Sequence, residues 1–124
     1  MNRAMKISTR IAAAVGAIAL AAALTACGSA AKPEVVPSAT GVEAAVTVRV
    51  IDNRYEPAEV EIEAGQAVRW VFEGSMEHDV VADDGSFVSE LQTTGEYIHV
   101  FVEAGEFAYD CSIHPEMTGK ITVR

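Results

Sequence analysis

The run Cys111-Ser112-Ile113-His114-Pro115-Glu116-Met117 sets out a thiol, an imidazole and a thioether at intervals of three residues. Whatever this chain folds into has to turn those three groups toward one point. Soft sulfur donors beside imidazole suit copper better than magnesium, calcium or manganese, and a trigonal His₂Cys set with a weak axial Met is the donor pattern of a blue-copper centre. The run holds one imidazole where that set needs two. His78, far upstream, can supply the second. The fold must therefore bring distant segments to a shared end.

The hydropathy pattern names a fold able to do so. Val46 to Ile51 alternates with period two and is rich in β-branched residues. Glu59-Val60-Glu61-Ile62-Glu63 alternates acid and apolar, and Val68, Trp70 and Phe72 line one face of a third segment. These are strand signatures. Further strands are predicted at Glu96–Val102, at Glu106–Asp110 leading into Cys111, and at Lys120–Val123. Short apolar Asp79–Ala82 follows His78, and Phe87 with Leu91 is expected to tuck a loop onto the core. Residues 52–57 read as a turn, and no amphipathic helix is evident after Ala45. Seven or eight short strands punctuated by Gly and Asp predict an all-β antiparallel Greek-key sandwich or barrel. In such a shell, strand ends carrying His78, Cys111 and Met117 can share one pole.

The N-terminus is different in kind. Residues 1–10 carry Arg3, Lys6 and Arg10 without an acid, and Ile11 to Leu24 is apolar apart from Gly16. A basic start followed by a 14-residue stretch of this kind reads as a secretory signal, too short for a membrane-spanning helix of about 20 residues. It ends in Leu24-Thr25-Ala26-Cys27-Gly28, which resembles a bacterial lipobox. The expected organisation is a lipoprotein signal over 1–26, lipidated Cys27 and a flexible Ala/Ser/Thr/Pro tether over 27–45, and one domain over 46–124. Lipidation of Cys27 leaves Cys111 alone. A lone thiol in an oxidising compartment is a liability unless buried or coordinated, which independently favours a ligand role.

All 18 acids but only six of the nine bases lie after Cys27, so the mature chain carries −12. That charge argues against nucleic acid or an anionic lipid surface as partner. It is compatible with a basic protein, and simple solubility would explain it equally well.

From Val46 onward the chain resembles the cupredoxins, the small blue-copper proteins, and within them the amicyanin and plastocyanin group. The matching stretches are Tyr55-Glu56-Pro57 with Val60-Glu61-Ile62 and Gly65, Val68-Arg69-Trp70, His78-Asp79-Val80, Phe101 with Ala104-Gly105, and Tyr109-Asp110-Cys111 through Met117-Thr118-Gly119-Lys120-Ile121. The resemblance implies one type 1 copper with His78, Cys111 and His114 as equatorial ligands and Met117 as the axial one. It also implies an electron port where His114 meets the surface through Ile113 and Pro115. Two positions depart from the family pattern. Asp79 stands where an Asn usually ties the ligand loops together through its amide, and Phe72 stands where an Asn is common. An ionised Asp79 is expected to favour Cu(II) and lower the reduction potential.

Together with the lipobox-like ending at Cys27, the resemblance implies a monomeric, lipid-anchored carrier of single electrons at the extracytoplasmic membrane face or in the periplasm. It would work between redox proteins, a basic cytochrome-like partner among them, and meet the membrane only through its anchor. Copper scavenging, storage or delivery with the same ligands is the alternative. An enzyme is disfavoured, because copper oxidases and nitrite reductases need a further copper centre and the third histidine, His99, reads as structural beside Tyr97 and Phe101. Zinc is disfavoured because Met is a poor zinc ligand. Glu77 and Glu116 are either an acidic margin to the port, with Met76 beside it, or ordinary solvated surface.

Overall fold

A computed structural model describes residues 31–124; the signal and Cys27 lie outside the described residues. Eight strands follow in chain order: β1 (Val46–Ile51), β2 (Arg54–Glu56), β3 (Glu59–Ile62), β4 (Ala67–Phe72), β5 (Val81–Ala82), β6 (Gly95–Val100), β7 (Gly105–Cys111) and β8 (His114–Val123). They form two four-stranded sheets, ordered β2-β1-β4-β6 and β3-β8-β7-β5. The described residues contain no helix.

The expected all-β sandwich of seven to eight strands is there, but its sheets are mixed where antiparallel ones were expected. β1 runs parallel to β4, with Val46 opposite Val68 and Val50 opposite Phe72. β3 runs parallel to β8, with Val60 opposite Ile121. The cause is the path of the chain. After β2 it leaves the first sheet to place β3 in the second, then returns, so β4 enters beside β1 pointing the same way. Alternation within a segment reports which face is buried but not the direction of a neighbour.

The inward faces come from the period-two pattern. Val48 and Val50 of β1, Val60 and Ile62 of β3, Val68, Trp70 and Phe72 of β4, and Ile121 and Val123 of β8 are all buried in one core. Trp70 lies at its centre. The rings of Phe87, Tyr97 and Tyr109 lie 5.4, 5.9 and 5.5 Å from it, with Tyr109 edge-on, within the range where aromatic pairs add to simple burial. Phe87 is fully buried as expected, whereas Leu91 is among the exposed apolar residues.

The described part of the stretch read as a tether is hydrogen-bonded to the sandwich. The Ala39 amide donates to the Ile98 carbonyl at 2.9 Å, and the Val36 amide donates to the Val88 carbonyl at the same distance. The Ser38 hydroxyl accepts from the Ile98 amide, and Tyr97 donates its hydroxyl proton to the Val36 carbonyl. This segment covers the free edge of β6, where bare amides and carbonyls would otherwise invite pairing with another chain.

Candidate metal centre

His78 belongs to the loop after β4, and a two-way backbone bridge to Gln92 holds it there. Cys111 ends β7, the chain reverses through Ser112 and Ile113, and His114 opens β8 directly opposite Cys111. The ladder shifts register between Asp110 and Cys111, an irregularity of the kind that re-aims a side chain. Met117 lies inside β8 and is 1% exposed. The ligand run is therefore partly strand, not a separate loop ahead of the last strand.

The ligand atoms gather. Cys111 Sγ lies 4.0 Å from His78 Nδ1 and 3.7 Å from His114 Nδ1. The donor atoms of His78, Cys111 and His114 lie within 4.8 Å of one another, and the two imidazole rings are 5.0 Å apart. Metal bonds of about 2.0–2.3 Å to nitrogen and sulfur, the lengths found for zinc, spread at about 120°, put donor atoms roughly 3.5–4 Å apart. The two sulfur–nitrogen distances fit one ion held in common. His78 and Cys111 are buried, while His114 is partly exposed. Burial pushes the Cys111 thiol above its ordinary pKa. Metal uptake must displace that proton, because the thiolate is the ligand.

His78 has its second nitrogen occupied. Nε2 lies 2.9 Å from Asp52 Oδ1, so its proton is donated to that carboxylate and Nδ1 is left free to ligate. A carboxylate behind a ligand imidazole fixes both tautomer and ring orientation. Asp52 is held in turn. It accepts from the Ser75 hydroxyl at 2.5 Å, from the Ser75 amide at 3.0 Å and from the Met76 amide at 3.1 Å. The Ser75 bonds, and next the bond to His78, hold its carboxyl well below the usual range. Gly74 makes the room, since a Cβ there would run into Asp52 Oδ1 and press on the His78 ring.

Asp79 is fully buried and joins the two ligand segments. One of its oxygens accepts the Ser112 amide at 2.7 Å, and the other accepts the Ser112 hydroxyl at 2.5 Å. The lack of an amide donor at position 79 is thus made good by donors on Ser112. Lys32 Nζ reaches the same carboxylate at 2.8 Å. Burial alone would push this carboxyl up, but Lys32 and the Ser112 donors outweigh it and hold it below the usual range. Tyr55 donates its hydroxyl proton to the Asp79 carbonyl at 2.6 Å. Asp52, Gly74, Ser112 and Lys32 escaped the sequence reading. An Asp in a turn and a Lys in an Ala/Pro-rich stretch carry no local mark of such contacts.

His99 lies away from this cluster, with its ring 4.8 Å from Phe101 and 5.2 Å from Phe87. Phe72 is buried in the core. Ile113 and Pro115, on either side of His114 in the chain, are exposed, as are Met76, Glu77 and Glu116.

A family model described as a cupredoxin-like domain matches residues 16–123. The chain belongs to the cupredoxin family. Amicyanin of Paracoccus denitrificans is 30% identical, over 94% of this chain and 97% of its own length. Amicyanin of Paracoccus versutus is 36% identical over 64% of each chain. A solved oxidized amicyanin mutant superposes with a TM-score of 0.61 at 26% identity, covering 71% of this cupredoxin and 90% of that chain. Another solved amicyanin, described as a reduced Cu(I) form, gives a TM-score of 0.60 at 28% identity, covering 72% of this chain and 90% of that one. A copper-containing nitrite reductase from Thermus scotoductus is also similar, at a TM-score of 0.59 and 33% identity over 72% of this chain, but only 25% of the enzyme is covered. Family membership and a donor set of two imidazoles, a thiol and a buried thioether make copper the metal of this site.

Proposed function

We propose that this cupredoxin carries single electrons between redox proteins through a type 1 copper held by His78, Cys111 and His114, with Met117 as a weak axial ligand. The observation that carries the reading is the gathering of both Nδ1 atoms and the sulfur around one point inside a hydrogen-bonded sandwich. Bound copper supplies a one-electron Cu(I)/Cu(II) couple. The chain's part is to hold the donors in place and exclude water from them. Asp52 holds the His78 ring, and Asp79 with Ser112 holds the Cys111 turn against the His78 loop. Ligands that cannot shift far between the two oxidation states keep the barrier to electron exchange small.

His114 is the partly exposed ligand, and exposed Ile113 and Pro115 flank it. This supports His114 as the point where electrons enter and leave. The lipobox-like ending at Cys27 supports a lipid anchor on the extracytoplasmic membrane face, with the domain working there as a monomer and not as an enzyme. The −12 charge of the mature chain supports a basic partner of cytochrome type.

The test is the visible and EPR spectrum of the copper(II)-loaded mature protein beside Cys111→Ala. An intense blue band, lost in the variant, with copper retained through repeated oxidation and reduction, is the expected result. A colourless site that gives up its copper readily would overturn the electron carrier in favour of copper delivery.

A further inference from the structure

Five of the six bases among the described residues, Arg49, Arg54, Arg69, Lys120 and Arg124, pair with surface glutamates. Such exposed pairs contribute little. Lys32 differs. Its ammonium lies 2.8 Å from Asp79 Oδ2, a carboxylate with no solvent exposure, and donates to the Ser89 carbonyl at 2.7 Å. Ser89 is itself buried and accepts the Val80 amide on its hydroxyl. The ammonium is thus held by two acceptors, beside the residue that follows ligand His78.

An uncompensated buried carboxylate is strongly unfavourable, so removing one partner of such a pair costs far more than removing a surface charge. The carboxylate that Lys32 balances is also the one that joins His78's neighbour to Ser112, next to ligand Cys111. Beyond Lys32 the chain continues along the β6 edge through Val36, Ser38 and Ala39. The entering segment therefore reaches both the sheet edge and the metal loops.

We propose that Lys32 is a positioning residue of the copper centre. It balances the charge of Asp79, keeps the Asp79–Ser112 tie closed and so makes the N-terminal segment a working part of the metal site. The inference rests on the copper reading above. It also revises the expectation that Asp79 acts on copper as a bare negative charge: the ammonium offsets that charge at close range.

The test compares Lys32→Gln and Lys32→Arg in the full chain, each with native Asp79 and with Asp79→Asn. Reduction potential by voltammetry and the rate of copper loss to a chelator are measured for all of them. Lys32→Gln is expected to lower the potential and speed copper loss, because the uncovered carboxylate favours Cu(II) and releases the Ser112 turn. Lys32→Arg keeps the charge and should stay near wild type. In the Asp79→Asn background, Lys32→Gln should add no further shift. If Lys32→Gln fails to take up copper while the double variant holds it, the proposal also stands. An unchanged potential and release rate in Lys32→Gln overturns it. So does an equal shift with and without the Asp79 carboxylate, or failure of both Lys32→Gln and the double variant to bind copper. The wild-type blue spectrum tests the copper reading separately, and these comparisons are made only among variants of a blue protein.

Discussion

His78 has two ring nitrogens, and its surroundings give them different tasks. Asp52 takes the proton of Nε2, and Nδ1 faces the sulfur of Cys111. The carboxylate does not touch the metal position, yet it decides which nitrogen can ligate and in which plane the ring lies. Groups placed behind a ligand in this way are typically worth about 10–100-fold in metal affinity. Asp52→Ala should weaken copper binding by roughly that factor, read by competition with a copper chelator. Asp52→Asn, which can keep an oxygen toward His78 and the Met76 amide, should lose less. Equal affinity in Asp52→Ala and wild type would show that the ring is held by packing alone. At this scale the sequence pointed to the candidate donors and concealed the groups that hold them. Cys111, His114 and Met117 share one short run whose spacing is itself the signal. Asp52 and His78 are 26 residues apart and meet only because the turn after β1 folds under the loop after β4. Lys32 is hidden in the same way, by a tertiary contact that no local pattern records.

β7 and β8 form the element that presents the site, and their pairing depends on a side chain that is missing. Gly119 lies opposite Tyr109 in the ladder, and a Cβ at position 119 would enter the Tyr109 ring. Tyr109 cannot yield easily, since it is wedged edge-on to both Trp70 and Tyr55. Overfilling a packed core costs about 1–3 kcal/mol. Gly119→Ala should therefore destabilise the metal-free protein by that amount in denaturant titration. Two residues from Met117, the same displacement should also alter the visible spectrum of the copper form. A stability loss within error would mean that the Tyr109 ring has room to move. The strand faces were legible because alternation is a local property: Val60 and Ile62 turn inward and Glu59 and Glu61 outward as the sequence implies. The parallel pairings of β1 with β4 and β3 with β8 were not, because direction depends on where the chain crosses between sheets. The 31–45 stretch misled for a related reason. Its Ala, Pro and Ser content lacks the pattern of a strand, yet the Ala39 amide bonded to Ile98 of β6 and the Val36 amide bonded to Val88 suffice to pin it to the sandwich.

At the scale of the molecule, net charge decides what the surface attracts and what it repels. The residues after Cys27 carry −12, a charge that an anionic lipid surface repels. The same charge would attract a cationic redox partner. Exposed Glu77 precedes His78 and exposed Glu116 lies two residues after His114, so both add to that charge on the segments that carry the site. Steering of this kind acts on the rate of encounter and is screened within about 10 Å at 0.1 M salt. The bimolecular rate of electron transfer to a cationic cytochrome should therefore fall steeply as salt rises from about 10 mM to about 200 mM, a range over which the screening length shortens from about 30 Å to under 10 Å. The double variant Glu77→Gln/Glu116→Gln should flatten much of that slope and leave the reduction potential little changed, which separates encounter from driving force. A rate independent of salt in the wild-type protein would make the acidic margin ordinary solvated surface. The partner would then have to be recognised through the apolar residues Ile113 and Pro115 alone.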